Sequence, residues 1–258
     1  MHDHIGRITM TSSRELLELY IHDLLTEGGR VHGSLVTVFH TPSGEAVWVG
    51  SEAHDDLVTA LPDTRRSADR STALGDPPVT LAACERVMAD RGMRPRRVAS
   101  LVYAIGPATR FPSTLPIARS DDATPRALRA ANPGGWHPVE WDELLDGKLG
   151  PWTMALEDHA VASICHTPKP MTERTAEAGV WTDPKMRGRG HAAATTAAWA
   201  QLLRPSGRAL FYSTTAENHS SQRVAARLKL RLLAWRWELA PEGVAADDSI
   251  HPLSTLRR

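Results

Sequence analysis

The spacing of apolar residues predicts a chain of alternating helices and strands. In residues 13–25 apolar side chains recur every three or four positions, Ser12 or Ser13 can cap the helix, and two glycines end the pattern. We therefore expect a first helix there. Apolar and β-branched runs at 33–41 and 45–51 flank a Pro-Ser-Gly turn, which is typical of an antiparallel hairpin.

A polar stretch rich in proline and glycine, residues 61–78, interrupts this pattern and predicts a loop or linker. Beyond it we expect a helix at 79–93, a strand at 96–106 and a second turn-rich break at 107–116. After that break short strands and helices alternate, which favours a mixed α/β sheet. The expected strands are 115–120, 151–158, 159–167, 173–182, 208–216 and 231–240, and the expected helices are 123–131, 138–147, 190–203 and 220–229.

This order of elements predicts an α/β (α+β) fold with a mixed β-sheet flanked by helices. We expect residues 1–110 to form an N-terminal α+β region and residues 111–240 to form a second domain. Residues 241–258 are mostly polar and predict a flexible C-terminal tail. The glycine-rich stretch of the second domain has no copy in the first half of the chain, so we expect no internal repeat.

The composition narrows the class of function. The 30 basic and 30 acidic residues balance, so no global charge attracts nucleic acid or an anionic membrane. No run of 18 apolar residues and no signal-peptide pattern is present, which predicts a soluble, cytoplasmic protein. Cys84 and Cys165 are too few for a disulfide framework. His2 and His4 have no suitably spaced third ligand, so we expect no metal.

A local site for an anion is predicted where the helix at 190–203 begins. Arg187, Gly188, Arg189 and Gly190 directly precede an alanine-rich run. The first N–H groups of a helix have no partner within it and carry partial positive charge, so they bind phosphate well. Glycines let the backbone curl around such a ligand. The alternative is an ordinary basic turn before a surface helix.

Two motifs resemble those of the GCN5-related N-acetyltransferases (GNAT). The run from Arg187 to Ala192, with His191 at the variable position, is similar to the motif A pattern R-G-x-G-x-[GA]. Asn218 and Ser221 match the N-x-x-S of motif B, which precedes an amphipathic helix. The family usually closes this helix with Lys-x-Gly-Phe, and the Gly-Phe is absent here. The resemblance covers roughly residues 115–240 and is strongest to the zwittermicin-resistance branch.

The resemblance implies a splayed mixed sheet, the acyl-CoA N-acyltransferase fold, with acetyl-CoA bound between two diverging strands. Backbone N–H groups of residues 187–192 would hold the diphosphate. The strand at 180–182 would pair with the pantetheine arm and polarise the thioester carbonyl. Asn218 and Ser221 would contact the pantetheine and the departing sulfur, and Arg227 a phosphate. The implied contact residues are Val180, Trp181, Thr182, Arg187, Gly188, Arg189, Gly190, His191, Ala192, Asn218, Ser221 and Arg227.

Each of these assignments has a structural alternative. Asn218 and Ser221 are also good residues for the cap and first turn of a helix. Arg227 is also explained as a solvated residue on the helix surface. Trp181 is equally explained as a core residue.

Transfer to an amine requires a base, because the amine must be uncharged to attack. Glu177 is the first candidate, with a solvent-facing strand position as its alternative; His166 and His191 are weaker ones. Many family members carry a tyrosine acid seven residues after the motif B asparagine, where this chain has Ala225. Ser221, Tyr212 or a water would replace that acid, or the thiolate would leave unaided.

These observations predict an N-acetyltransferase that moves an acetyl or short acyl group from acetyl-CoA to a primary amine of a small molecule or peptide. The N-terminal region would either cover the acceptor side or form a homodimer. The rival prediction is a non-catalytic acyl-CoA-binding module that regulates a partner. Acylation of a hydroxyl group also stays open, as does the identity of the acceptor among antibiotics, polyamines, amino acids and proteins.

Overall fold

The computed structural model describes residues 12–25, 31, 34–41, 43–49, 72–122, 126–168 and 172–241. The helices are α1 (Ser13–Leu24), α2 (Val79–Ala89), α3 (Arg126–Ala130), α4 (Pro138–Leu145), α5 (His191–Leu203) and α6 (His219–Arg227). The strands are β1 (Val36–Thr41), β2 (Gly44–Val49), β3 (Arg96–Ile105), β4 (Ile117–Arg119), β5 (Thr153–Glu157), β6 (Ala160–His166), β7 (Thr175–Glu177), β8 (Gly179–Thr182), β9 (Ala209–Thr215) and β10 (Arg231–Ala240). The predicted helices and strands are confirmed, except that the strand expected at 173–182 is two strands.

The strands form two sheets, which confirms the predicted fold class. The larger sheet has the order β2-β1-β10-β3-β9-β7, and the smaller one has the order β4-β5-β6-β8. Only β7 and β9 pair in parallel among the described strands. Helices cover both faces of the larger sheet, so the arrangement is a mixed sheet flanked by helices.

The expected single strand at 173–182 passes from one sheet to the other at Ala178. β7 pairs with β9 as far as Glu177 and Phe211, and the Ala178 N–H donates to the Phe211 carbonyl at 2.9 Å. β8 then pairs with β6 in the smaller sheet. A side chain at Gly179 would lie 2.8 Å from Pro168 Cγ, so this transition requires glycine. β8 and β9 therefore splay apart beyond Phe211.

The two faces of the larger sheet carry different helices. On the face that we call the α1 face, Tyr20 of α1 packs edge-on against Phe39 and Phe211. On the opposite face, the α5 face, Trp199 of α5 and Ala225 of α6 pack in one buried cluster. Because side chains alternate along a strand, neighbouring residues of β9 belong to opposite faces.

Strands from both predicted regions share the larger sheet. β3 lies between β10 and β9, and β1 pairs with β10. The division into residues 1–110 and 111–240 therefore does not correspond to two separate sheets. That the two regions have separate functions stays a prediction. Of the predicted tail at 241–258, all but the first residue lies outside the described residues, as do His2 and His4.

Candidate active site

A cleft of about 380 Å³ opens on the α5 face between β8 and α6. It lies where β8 separates from β9, so the splay of the two strands creates it. Its walls come from β8, the loop before α5, the first turn of α5, and α6. The lining residues are Val180, Trp181, Thr182, Met186, Arg187, Gly188, Gly190, His191, Ala192, Ala193, Tyr212, Asn218, Ser220, Ser221, Arg223, Val224 and Arg227.

The loop before α5 exposes the start of that helix to the cleft. Gly188 and Gly190 adopt left-handed backbone conformations, with φ of +82° and +94°. Gly190 is the N-cap of α5 and has no side chain to cap it. The N–H groups of the first turn, from His191 to Ala193, lack partners within the helix and lie along the cleft. A Cβ at Gly190 would also come within 3.3 Å of Phe111.

The charges along the cleft are positive. Arg187, Arg223 and Arg227 line it and are exposed, and none of the described lining residues is acidic. Arg227 donates to the Gly188 carbonyl at 3.2 Å. Arg189 does not line the cleft; its guanidinium lies 3.6 Å from the Glu157 carboxylate.

Asn218 and Ser221 take part in capping and also line the cleft. The Asn218 side-chain oxygen accepts from the Ser221 N–H at 3.0 Å, which makes Asn218 the N-cap of α6. The helix-capping role that was expected as the alternative for these two residues is therefore present. Both residues nevertheless face the space between α6 and β8.

The position where many GNAT proteins carry a tyrosine acid is occupied here by a small, buried residue. Ala225 is only 1% exposed and packs in the same cluster as Tyr212. The Tyr212 hydroxyl donates to the Ser221 carbonyl at 3.3 Å, so it lies near the first turn of α6. Burial raises the pKa of this phenol well above its usual range. Tyr212 is thus placed as a hydrogen-bonding group at the wall of the cleft.

Glu177 does not line the cleft, because its side chain lies on the opposite face of the sheet. In the parallel register Glu177 pairs with Phe211, a residue of the α1 face. The Ser213 hydroxyl, two residues further along β9, donates a hydrogen bond to Glu177 Oε1. Glu177 is partly buried and stands at the last paired position before the strands separate.

The comparisons with known proteins place the chain in a family. The model of the acetyltransferase (GNAT) domain matches residues 91–231, more than half of the chain and from a point before the predicted boundary at 110. The chain belongs to the GNAT family of acetyltransferases. No curated protein sequence matches it.

Three solved structures are examples of similar proteins. A GNAT-family protein from Novosphingobium aromaticivorans is 19% identical over 79% of this chain and 86% of its own, with a TM-score of 0.44. A GCN5-related N-acetyltransferase from Sphaerobacter thermophilus is 16% identical over 92% and 88%, with a TM-score of 0.45. A GNAT-family acetyltransferase from Colwellia psychrerythraea is 13% identical over 64% and 63%, with a TM-score of 0.46.

The GNAT helix-ending glycine is replaced by Lys229 without loss of the helix end. Lys229 adopts a left-handed conformation, with φ of +52°, which is where glycine is favoured. The N–H groups of Lys229 and Leu230 bond to the carbonyls of Ala226 and Ala225, as in a Schellman motif. The departure from the GNAT pattern therefore changes the local strain and leaves the geometry in place.

The weaker base candidates of this GNAT chain, His166 and His191, both have a lowered pKa. His166 is 7% exposed and stands edge-on to Trp136, and burial lowers its pKa to about 4. The pKa of His191 is lowered by burial and then by Arg189.

Among the described residues no cluster of three metal-binding side chains occurs, and no helix is long and apolar enough to cross a membrane.

Sequence reasoning missed five of the cleft residues. Arg223 had a usable signal, since it precedes Arg227 by four positions and so shares its helix face. Ser220 and Val224 follow once the helix face that bears Ser221 is known. Met186 and Ala193 carry no chemical signal and depend on the course of the loop.

Proposed function

We propose that this GNAT chain transfers an acetyl group from acetyl-CoA to a primary amine of a small molecule or peptide, by direct attack in a ternary complex. The observation that carries the proposal is the cleft at the strand splay. It combines an uncapped helix N-terminus with three arginines and no acidic residue among the described lining. Such a site is complementary to the diphosphate and phosphate groups of coenzyme A.

The chain offers separate groups for the two ends of acetyl-CoA. N–H groups from Arg187 to Ala192 hold the diphosphate, and the exposed arginines lie beside it. The cleft-facing residues of β8, Val180 to Thr182, lie along the pantetheine arm. One N–H of this strand donates to the thioester oxygen, and such a fixed donor is worth more in the transition state than in the ground state.

Glu177 acts as the base in this proposal. It accepts a proton from the ammonium group of the acceptor, directly or through a water, and the neutral nitrogen then attacks the thioester carbon. The C–S bond breaks, the electron pair leaves on sulfur, and the nitrogen loses its second proton to solvent as the amide forms. Glu177 lies on the α1 face and the cleft on the α5 face, so the two reactants meet in the gap where the strands part.

Ser221 and Tyr212 both line the cleft and are proposed to stabilise the departing sulfur by hydrogen bonding. The raised pKa of Tyr212 exceeds the thiol value of about 8.5, so full proton transfer from this phenol is uphill. Its role is therefore that of a hydrogen-bond donor, which turns from the Ser221 carbonyl to the sulfur as the thiolate forms, and solvent supplies the proton.

The N-terminal region is proposed to cover the acceptor side. α1 lies on the same face as Glu177, and the Asp23 carboxylate of α1 accepts a hydrogen bond from Thr175 of β7. This contact joins the helix to the strand that carries the base. A pairing of two chains through the same region, and membership of the zwittermicin-resistance branch, stay predictions.

One observation favours a second candidate, the non-catalytic acyl-CoA-binding module. The residue at the usual acid position, Ala225, is small and buried, so no side chain there reaches the sulfur. This module would bind acetyl-CoA with the same cleft and release no thiol.

The deciding experiment measures thiol release from acetyl-CoA with kanamycin, spermidine, L-lysine and an unblocked peptide as acceptors. Gly190→Trp and Glu177→Gln are compared with Gly92→Trp, which alters a left-handed glycine outside the cleft, and with Glu173→Gln, an exposed neighbour. We expect turnover of one acceptor class, loss of it in Gly190→Trp, and a fall of about 10²-fold or more in Glu177→Gln. Binding of acetyl-CoA without turnover of any acceptor would establish the second candidate instead.

A further inference from the structure

We propose that Ser213 is a positioning residue that orients Glu177 toward the acceptor amine. The inference rests on the proposed role of Glu177 as the base. It adds a residue that lies outside both GNAT motifs. Ser213 is on β9, the strand next to the one that carries the base, and its side chain is on the face of the sheet away from the cleft.

The position of Ser213 follows from the register of the sheet. Phe211 is the last residue of β9 that pairs with β7, and Ser213 is the next residue on the same face. On its other side Ser213 pairs with Val102 of β3, which fixes the backbone that carries it. Ser213 is therefore held on a central strand at the open edge of the splay.

The contact with Glu177 gives this position a chemical meaning. The Ser213 hydroxyl donates to Glu177 Oε1, and both side chains are partly buried. A donor fixed on a neighbouring strand limits rotation of the carboxylate about its last bonds. General bases act only within hydrogen-bond reach of the proton they accept, so orientation of this group controls the rate.

A hydrogen bond that only stabilises the fold would show the same contact between Ser213 and Glu177. A structural role and a positioning role differ in what is lost when the bond is removed. A structural bond contributes to folding and leaves the turnover of the folded enzyme unchanged. A positioning bond affects kcat, because it acts on proton removal, and leaves the KM of acetyl-CoA unchanged. A variant that has a different side chain but keeps a hydroxyl at position 213 should then retain most of kcat.

The test compares Ser213→Ala, Ser213→Thr and Glu177→Gln with the wild type, using the acceptor turned over in the panel above. Thr215→Val is the matched control, because it removes a hydroxyl two residues further along the same face of β9. We expect Ser213→Ala to lower kcat by about tenfold with the KM of acetyl-CoA within about twofold. Ser213→Thr should recover most of the loss, and Thr215→Val should match the wild type.

Hydroxylamine provides a second readout, since it is uncharged at neutral pH and needs no base. Its acetylation, corrected for the uncatalysed reaction, should be equal in the wild type, Ser213→Ala and Glu177→Gln. Wild-type turnover in Ser213→Ala, beside an impaired Glu177→Gln, would overturn the role of Ser213 alone. Full activity of Glu177→Gln would overturn the proposed base, and with it this inference. Loss in Ser213→Ala that hydroxylamine does not bypass would also reject positioning.

Discussion

Arg227 donates a hydrogen bond to the carbonyl oxygen of Gly188 at 3.2 Å, so α6 is tied to the loop that begins α5. This contact joins the two motifs that lie far apart in the sequence. It also holds a guanidinium beside the uncapped N–H groups of α5, which concentrates positive charge at one end of the cleft.

The arginines of the cleft should bind coenzyme A in a salt-dependent way. Arg223→Ala and Arg227→Ala should each weaken CoA binding by about fivefold at low salt, because exposed ion pairs contribute up to about 1 kcal/mol. The difference should shrink as salt is added, since screening weakens exposed charges. Isothermal titration with CoA checks this, with Arg204→Ala, an exposed arginine outside the cleft, as the control. Equal affinities of all variants at low salt would argue against the site.

Tyr212→Phe should keep most of the turnover. Because burial raises the pKa of the phenol, the residue is a poor proton donor, and its loss should lower kcat by less than about fivefold. The variant also loses the hydrogen bond to the Ser221 carbonyl, which should lower the free energy of unfolding by about 1 kcal/mol. Steady-state kinetics and thermal unfolding test the two effects. If the substitution instead slowed turnover by about 10²-fold or more, Tyr212 would be the general acid.

Lys229→Gly should stabilise the protein. The left-handed backbone at this position disfavours lysine, so the glycine variant should gain about 1 kcal/mol, or about 2–4 °C in Tm. Ala226→Gly, three residues earlier within the last turn of α6, should lower the stability by up to about 1 kcal/mol. Calorimetry of both variants provides the contrast. A lower Tm for Lys229→Gly would mean that the lysine side chain outweighs the backbone strain.

His166 should make the stability fall in mild acid. Burial lowers its folded pKa to about 4 from an unfolded value of 6.5, so the unfolded chain binds the extra proton first. The stabilisation is complete above pH 6.5 and is lost as the pH falls toward 4, by about 3 kcal/mol. Denaturant unfolding of the wild type and His166→Gln should show this difference between pH 6.5 and 4. Parallel pH profiles of the two proteins would contradict the burial effect.

The helices, the strands and the glycine-containing loop before α5 were predictable because their signals are local. The glycines before α5 mark a helix start within a few residues, and the structure gives both a left-handed backbone. The division of the strand at Ala178 had only one local signal, which is Gly179 inside an otherwise strand-like run. It depends on Pro168, which approaches Gly179 from a separate segment of the chain.

Side-chain partners from distant segments were the second limit of prediction. Arg189 is drawn from the cleft toward Glu157, a residue of β5 more than 30 positions away in sequence. The face of the sheet that carries Glu177 follows only from its pairing with β9. Strand alternation separates neighbouring residues, and register decides which face meets which helix.

The place of β10 in the sheet has a consequence for synthesis on the ribosome. β10 comes last in the chain among the described strands, and it lies between β1 and β3, which are made long before it. Until β10 leaves the exit tunnel, the hairpin of β1 and β2 cannot join the rest of the sheet. During this time the nascent chain exposes two unpaired strand edges, one on β1 and one on β3. Such edges are the kind of surface on which chaperones act.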